Sequence, residues 1–335
     1  MFSVTQNATK GFVISNSRNY SGTPRQFSSN QFYIFLAFSA LLAVVIVAGN
    51  SLVLVSYKIN VRLQTRTNRF LASLAVCDLL VGAVSIPLWI YTSRRPYSKV
   101  LYNIFMCLDI ASAIASILHL TGICVERFMA ISMPLRHRTV RLCVFNLMIA
   151  VAWIIALMAA IIYPFQKEYN FTKAYVIVVF IFGFAGPLVT ISGMHIVIYQ
   201  ISRRVLRSNT LRDQAQQRMI PRKRKQHIQK ETRTLLTVTM VTFLFFIAWS
   251  PFFILLLLSI FFPRTLPSSQ SVFKLVLFAK WMHYWNSAVN PFVYAFRNIE
   301  MRNTFLHVLK MICYCSRRRK NLCTRTVRFE SRIST

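Results

Sequence analysis

The sequence predicts an all-α membrane protein, a bundle of seven transmembrane helices with a short amphipathic eighth helix. Three observations carry this. Seven apolar runs follow one another between residues 31 and 296, each longer than the ~20 residues that a spanning helix needs. The 335-residue chain is 55% hydrophobic and 14% charged, with a mean hydropathy of +0.49. All but two of its 40 Lys and Arg residues fall outside the apolar runs. A formal net charge of +32 would suit a nucleic-acid-binding protein, but the hydrophobicity excludes that class.

Residues 1–30 are polar and rich in Ser, Asn and Thr, and read as an extracellular N-terminal tail. They show no basic-then-apolar signal peptide, so the first apolar run acts as its own insertion signal. The seven-helix domain occupies 31–298. Its runs are Gln31–Tyr57, Phe70–Thr92, Val100–Met133, Leu142–Gln166, Ala174–Ser202, Thr234–Phe262 and Leu275–Phe296. Backbone polar groups in lipid must be satisfied within the segment, so each run is a helix.

Seven spans put the two ends on opposite sides. With the N-terminus outside, inner segments hold 28 Lys and Arg residues and outer segments 10, and that excess sets the orientation. The N-x-S/T acceptors Asn7, Asn19 and Asn170 all fall in outer segments as candidate glycosylation sites. The inner loop Arg203–Arg233 carries Arg222-Lys223-Arg224-Lys225, a run suited to anionic lipid heads or to partner docking. Residues 299–335 form the amphipathic helix and a basic cytoplasmic tail. Apolar Ile299, Phe305, Leu306, Val308 and Leu309 line one face, and Cys313 and Cys315 follow as palmitoylation candidates.

The third run organises the rest. Asp109 near its start and Glu126-Arg127-Phe128 near its end lie 18 residues apart. Eighteen residues are about five helical turns and roughly 27 Å, so Asp109 and Arg127 share a face at opposite ends of a bilayer-sized helix. Ionisable groups inside a span are expensive and point to function. Asp78 lies in the second run, and Glu231 opens the sixth.

The motifs resemble those of rhodopsin-like (class A) G-protein-coupled receptors over nearly all of residues 31–315. They are Gly49-Asn50; Leu74-Ala75-Val76-Cys77-Asp78; Glu126-Arg127-Phe128, with Phe for Tyr; Trp153; Pro187; Ala248-Trp249-Ser250-Pro251, with Ala for Cys; and Asn290-Pro291-Phe292-Val293-Tyr294. The resemblance implies a plasma-membrane receptor that takes an extracellular small-molecule ligand and activates a heterotrimeric G protein. Arrestin, a receptor kinase and the lipid membrane are further implied partners. It also implies an activation switch made of Glu126, Arg127, Glu231, Ile117, Pro187, Phe245, Pro251, Asn290, Pro291 and Tyr294, in which Arg127 and Glu231 lock the resting state. Pro251 and Pro291 each remove a helix hydrogen bond and permit a bend. His195 stands where the family has a fifth-span Tyr.

Asp78, Ser116, Asn286, Ser287 and Asn290 match the family's sodium site, and their oxygens suit a hard cation. No covalent cofactor is implied. The ligand pocket resembles the amine-receptor branch: Asp109 in the place of the amine-binding carboxylate, Trp281 and Tyr284 from the seventh span, and Trp249, Phe252 and Phe253 as an aromatic floor. An ammonium there would gain an ion pair and cation–π contacts.

Departures from that branch matter. Val179, Phe180 and Gly183 replace the fifth-span serines of catechol receptors. Lys280 lies one turn outward of Tyr284 and competes for Asp109; if it reaches the carboxylate, a neutral, zwitterionic or acidic ligand enters consideration. Tyr102 replaces the third-span Cys, and Lys167–Lys173 contains no Cys, so no outer disulfide is expected. An opsin would need its lysine at position 284, which is Tyr. A lipid, peptide or anionic ligand remains an alternative within the family, and a membrane transporter the alternative outside it. No nucleophile–base constellation suggests an enzyme.

Overall fold

The computed structural model describes the backbone at 29–94, 98–213, 222–311 and 313–314, with the side chains of these residues apart from those at 29, 94, 134, 167, 201–241, 269 and 297. These residues form helices joined by short turns, bends and irregular connections, and there is no strand among the described residues. The helices are α1 (Ser29–Ile59), α2 (Arg66–Leu80, continuing through Val81–Ser85 into Ile86–Arg94), α3 (Lys99–Ser132), α4 (Leu142–Ile162), α5 (Thr172–Phe180, continuing through Ile181–Ala185 into Gly186–Asp213), α6 (Arg222–Phe261) and α7 (Ser269–Arg297). Residues 299–311 are again helical. Short helices, Pro134–Thr139 and Phe165–Glu168, follow α3 and α4.

Side-chain caps set where several helices begin. Thr65 accepts from the Asn68 amide at the start of α2, and Ser98 from the Leu101 amide at the start of α3. Pro134 occupies the first turn of its short helix, where no backbone donor is needed. α2 and α5 each widen into one π-helical turn, over Val81–Ser85 and Ile181–Ala185. Each is centred four residues before a proline, Pro87 or Pro187, where the ring would meet a carbonyl. The i→i−5 bonds from the Ile86 and Gly186 amides to the Val81 and Ile181 carbonyls take up the mismatch.

α3 is the central post. It is buried over 72% of its most apolar stretch, against 44% or less for the other apolar spans. Two close approaches around it and α1 depend on glycine. A Cβ at Gly122 would lie 2.6 Å from the Phe70 ring, and one at Gly49 would lie 2.9 Å from Pro291 Cγ. The first lets α2 lie against α3, the second lets α7 lie against α1.

Among the described residues, six helices are long and apolar enough to cross a membrane. The sequence reading counted seven such runs. α7 has the length, 29 residues, but carries Lys280, His283, Asn286, Ser287 and Asn290, all at most 7% exposed. Its polarity is turned inward, and its length is that of a bilayer-spanning helix.

Candidate functional site

The outer cluster is built where α3 meets α7. Lys280 Nζ lies 2.5 Å from Asp109 Oδ2, and the Tyr284 hydroxyl donates to Asp109 Oδ1 at 3.1 Å. The two charged side chains are 3% and 5% exposed. Lys280 and Tyr284 are four residues apart on α7, one turn, and therefore reach the same carboxylate. Phe105, one turn outward of Asp109 on α3, presents its ring to the ammonium at 4.6 Å, and the Tyr284 ring does so at 5.5 Å. Of the two arrangements open from sequence, the structure holds the one in which Lys280 reaches Asp109.

Trp281 is directed elsewhere. Its Nε1 donates to Ser39 Oγ at 3.1 Å, and its ring packs on Phe35 and Phe38 of α1. One residue's rotation on α7, about 100°, separates it from the face that carries Lys280 and Tyr284. Trp89 of α2 packs against Tyr284, with ring centroids 5.3 Å apart. Nothing in the sequence reading singled out Trp89, Phe105 or His283. Phe105 could have been found as the residue one turn before Asp109.

Beneath the ion pair, Trp249 packs on Phe245, Phe252 and Phe253 at 5.4–5.9 Å. Phe253 continues to Phe184 at 4.5 Å and Phe180 at 5.7 Å. The His283 ring lies 3.9 Å from that of Trp249. Among the described residues neither His283 Nδ1 nor Trp249 Nε1 has a hydrogen-bond partner, although both residues are 3% exposed. Ile117 is buried on α3, and Pro187 and Pro251 lie within α5 and α6.

A second polar cluster surrounds Asp78. Asn290 Nδ2 donates to Asp78 Oδ2 at 2.9 Å, and Asn50 Nδ2 donates to the Ile46 and Ser287 carbonyls. Asp78, Ser116, Asn286, Ser287 and Asn290 are all 7% exposed or less. Among the described residues Asp78 Oδ1 and Asn50 Oδ1 are left without hydrogen-bond partners, and so is the hydroxyl of buried Tyr294. Two orphaned acceptor oxygens, one of them on a buried carboxylate, fit a hard cation. His195 contacts Cys124 Sγ through Nε2 at 3.8 Å.

At the inner end of α3, Glu126 is fully buried and holds three partners. Arg127 Nε donates to its Oε2 at 2.6 Å and Nη2 to its Oε1 at 2.9 Å. Thr67 Oγ1 donates to Oε2 at 2.8 Å and receives Arg127 Nη2 at 2.5 Å. His137 Nε2 lies 3.0 Å from Oε1. Arg66 donates to the carbonyls of His137 and Val140, tying the helix Pro134–Thr139 to α2. Thr67 and His137 escaped the sequence reading, because they come from other elements. The side chain of Glu231 lies outside the described residues, so the Arg127–Glu231 lock does too.

The remaining sites divide in the same way. Asn170 is exposed, at a left-handed φ of 55° that asparagine tolerates. Asn7, Asn19 and Cys315 lie outside the described residues, whereas Cys313 is free and exposed. Cys107 is also free, and its thiol donates to the Ala160 carbonyl of α4 at 3.2 Å. A further chain crosses the bundle: Trp153 Nε1 donates to Ser73 Oγ at 3.0 Å, which lies 2.7 Å from His119 Nε2.

Comparison with known proteins agrees with this architecture. Residues 49–294 match the model of the 7 transmembrane receptor (rhodopsin family). The alpha-1D adrenergic receptor of Mus musculus is 28% identical over 345 residues, covering 86% of this chain and 58% of that one. The Homo sapiens alpha-1D adrenergic receptor is 27% identical over 346 residues, covering 86% and 57%. The Homo sapiens alpha-1A adrenergic receptor is 26% identical over 311 residues, covering 80% and 66%. The chain thus spans less than two-thirds of the length of these relatives. With more than half of its length matched by the family model, and with the motifs brought together as described, the chain belongs to the rhodopsin family of seven-transmembrane receptors.

Proposed function

We propose that the protein is a plasma-membrane receptor, N-terminus outside, that binds a small extracellular ligand among α3, α6 and α7 and activates a heterotrimeric G protein at its inner face. The carrying observation is α3 itself. One helix holds Asp109 in an outer buried cluster and, 18 residues on, Arg127 in an inner one. Packing between the two is dense and aromatic. A ligand that repositions α7 or Trp249 would shift α6 about Pro251, because interior packing moves between discrete arrangements.

The ligand carries an ammonium for Asp109. Supporting this are the buried carboxylate, its aromatic surround and the likeness to receptors named adrenergic. Val179, Phe180 and Gly183 supply no hydroxyl for a catechol. At the inner face, Glu126 and Thr67 hold Arg127 in the resting arrangement, with Glu231 of α6 as a second anion. Asp78 with Ser116, Asn286, Ser287 and Asn290 would hold sodium, which supplies a charge partner for the carboxylate and favours the resting state. Arrestin and a receptor kinase are the further inner partners.

The test is G-protein nucleotide exchange in membranes carrying wild type or Arg127→Ala. Exchange in the wild type, lost in the variant at equal surface expression, is the expected result. Equal exchange in both removes the switch assignment. Glu231→Ala should raise basal exchange by releasing one anionic partner.

A further inference from the structure

Resting on the receptor reading above, we propose that the ligand is a zwitterion of the amino-acid class with an aromatic or apolar side chain, and that a plain amine is not the ligand. Lys280 already fills the place that an incoming ammonium would take. Its Nζ is 2.5 Å from Asp109 Oδ2 and faces the rings of Phe105 and Tyr284. Tyr284 occupies the other carboxylate oxygen. Both oxygens of the aspartate therefore already hold a donor, and its charge is already balanced by Lys280.

Charge balance in this box separates the ligand classes. A monocationic amine would put two ammonium groups on one carboxylate, leaving one buried cation unpaired. A monoanion would set two carboxylates against one ammonium. Either is strongly unfavourable at sites exposed by 5% or less. A zwitterion exchanges partners instead: its ammonium takes Asp109, its carboxylate takes Lys280, and net charge is unchanged.

The neighbouring groups need an acceptor. Among the described residues, Trp249 Nε1, a donor only, is buried without a partner, and so is His283 Nδ1 beside it, a donor or an acceptor by tautomer. Lys280 and His283, three residues apart, share a face of α7. A ligand carboxylate supplies an acceptor for the Trp249 N–H and for His283 Nδ1 in the tautomer that protonates it, and an amine adds more donors. The rings of Phe180, Phe184, Phe252 and Phe253 form a continuous aromatic wall beside Trp249 for the ligand's side chain.

Purified full-length receptor, wild type and Lys280→Met, is assayed for thermal stabilisation by two sets of probes at matched concentration. One set is phenylalanine, phenethylamine and 3-phenylpropionate; the other is tryptophan, tryptamine and indole-3-propionate. In the wild type the amino acid of at least one set should stabilise, and its amine and acid counterparts should not. In Lys280→Met the order should invert, with the amine gaining roughly tenfold or more in apparent affinity. Lys280→Arg keeps the cation and should keep the wild-type order, which serves if the Met variant fails to fold. Amines that stabilise the wild type as well as amino acids do, no response to any probe, or an Arg variant that prefers amines would each overturn the proposal. G-protein exchange is read in parallel. Amino-acid binding without exchange would leave the ligand class standing and remove the receptor reading, whereas exchange driven by amines alone would do the reverse.

Discussion

Lys280 and Asp109 form an ion pair across 171 positions of sequence, 2.5 Å apart and almost wholly removed from solvent. Such pairs constrain one another. Removing one partner strands a charge at a cost of about 3–5 kcal/mol, whereas removing both together is often close to neutral. Asp109→Asn and Lys280→Met should therefore each lower the thermal midpoint markedly, and the double variant should recover most of the loss. Additive losses in the double variant would show that the two residues act independently.

The inner cluster makes a different forecast. Thr67 bridges Glu126 and Arg127 through one hydroxyl. Thr67→Val keeps the shape and removes the bridge, and hydrogen bonds to charged groups contribute about 1.5–3 kcal/mol. At tenfold per about 1.4 kcal/mol, basal nucleotide exchange should rise by roughly tenfold or more, with ligand binding intact. Unchanged basal exchange would mean that Thr67 does not help to hold Arg127.

Asp78 offers a test that needs no structure of the occupied site. Its Oδ1 has no hydrogen-bond partner among the described residues. If sodium binds there and favours the resting state, NaCl should weaken agonist binding relative to choline chloride at equal ionic strength. Asp78→Asn should remove the difference. An equal salt response in both proteins would take the ion away from this carboxylate.

Gly122 tests the packing of the central helix. A methyl group there meets the Phe70 ring at 2.6 Å. Gly122→Ala should destabilise the protein by about 1–3 kcal/mol through overpacking, read as a lower thermal midpoint, and Phe70→Leu in the same chain should restore part of it. A neutral Gly122→Ala would show that α2 and α3 can separate without cost.

Apolar length and helical periodicity specify the class of architecture and the two ends of its central helix. Runs of apolar residues longer than a bilayer leave the backbone no form but helix, and an 18-residue spacing puts Asp109 and Arg127 on one face. These are local properties, carried by length and periodicity. Partner choice is not local. That Lys280 reaches Asp109, that Trp281 turns to Ser39 of α1, and that Thr67 and His137 gather on Glu126 were decided only when α1, α2, α3 and α7 packed. A rotation of α7 by about 100° would exchange Lys280 for Trp281 as neighbour to the carboxylate. That rotation follows from close approaches such as Gly49 against Pro291, which the order of residues along one helix does not express.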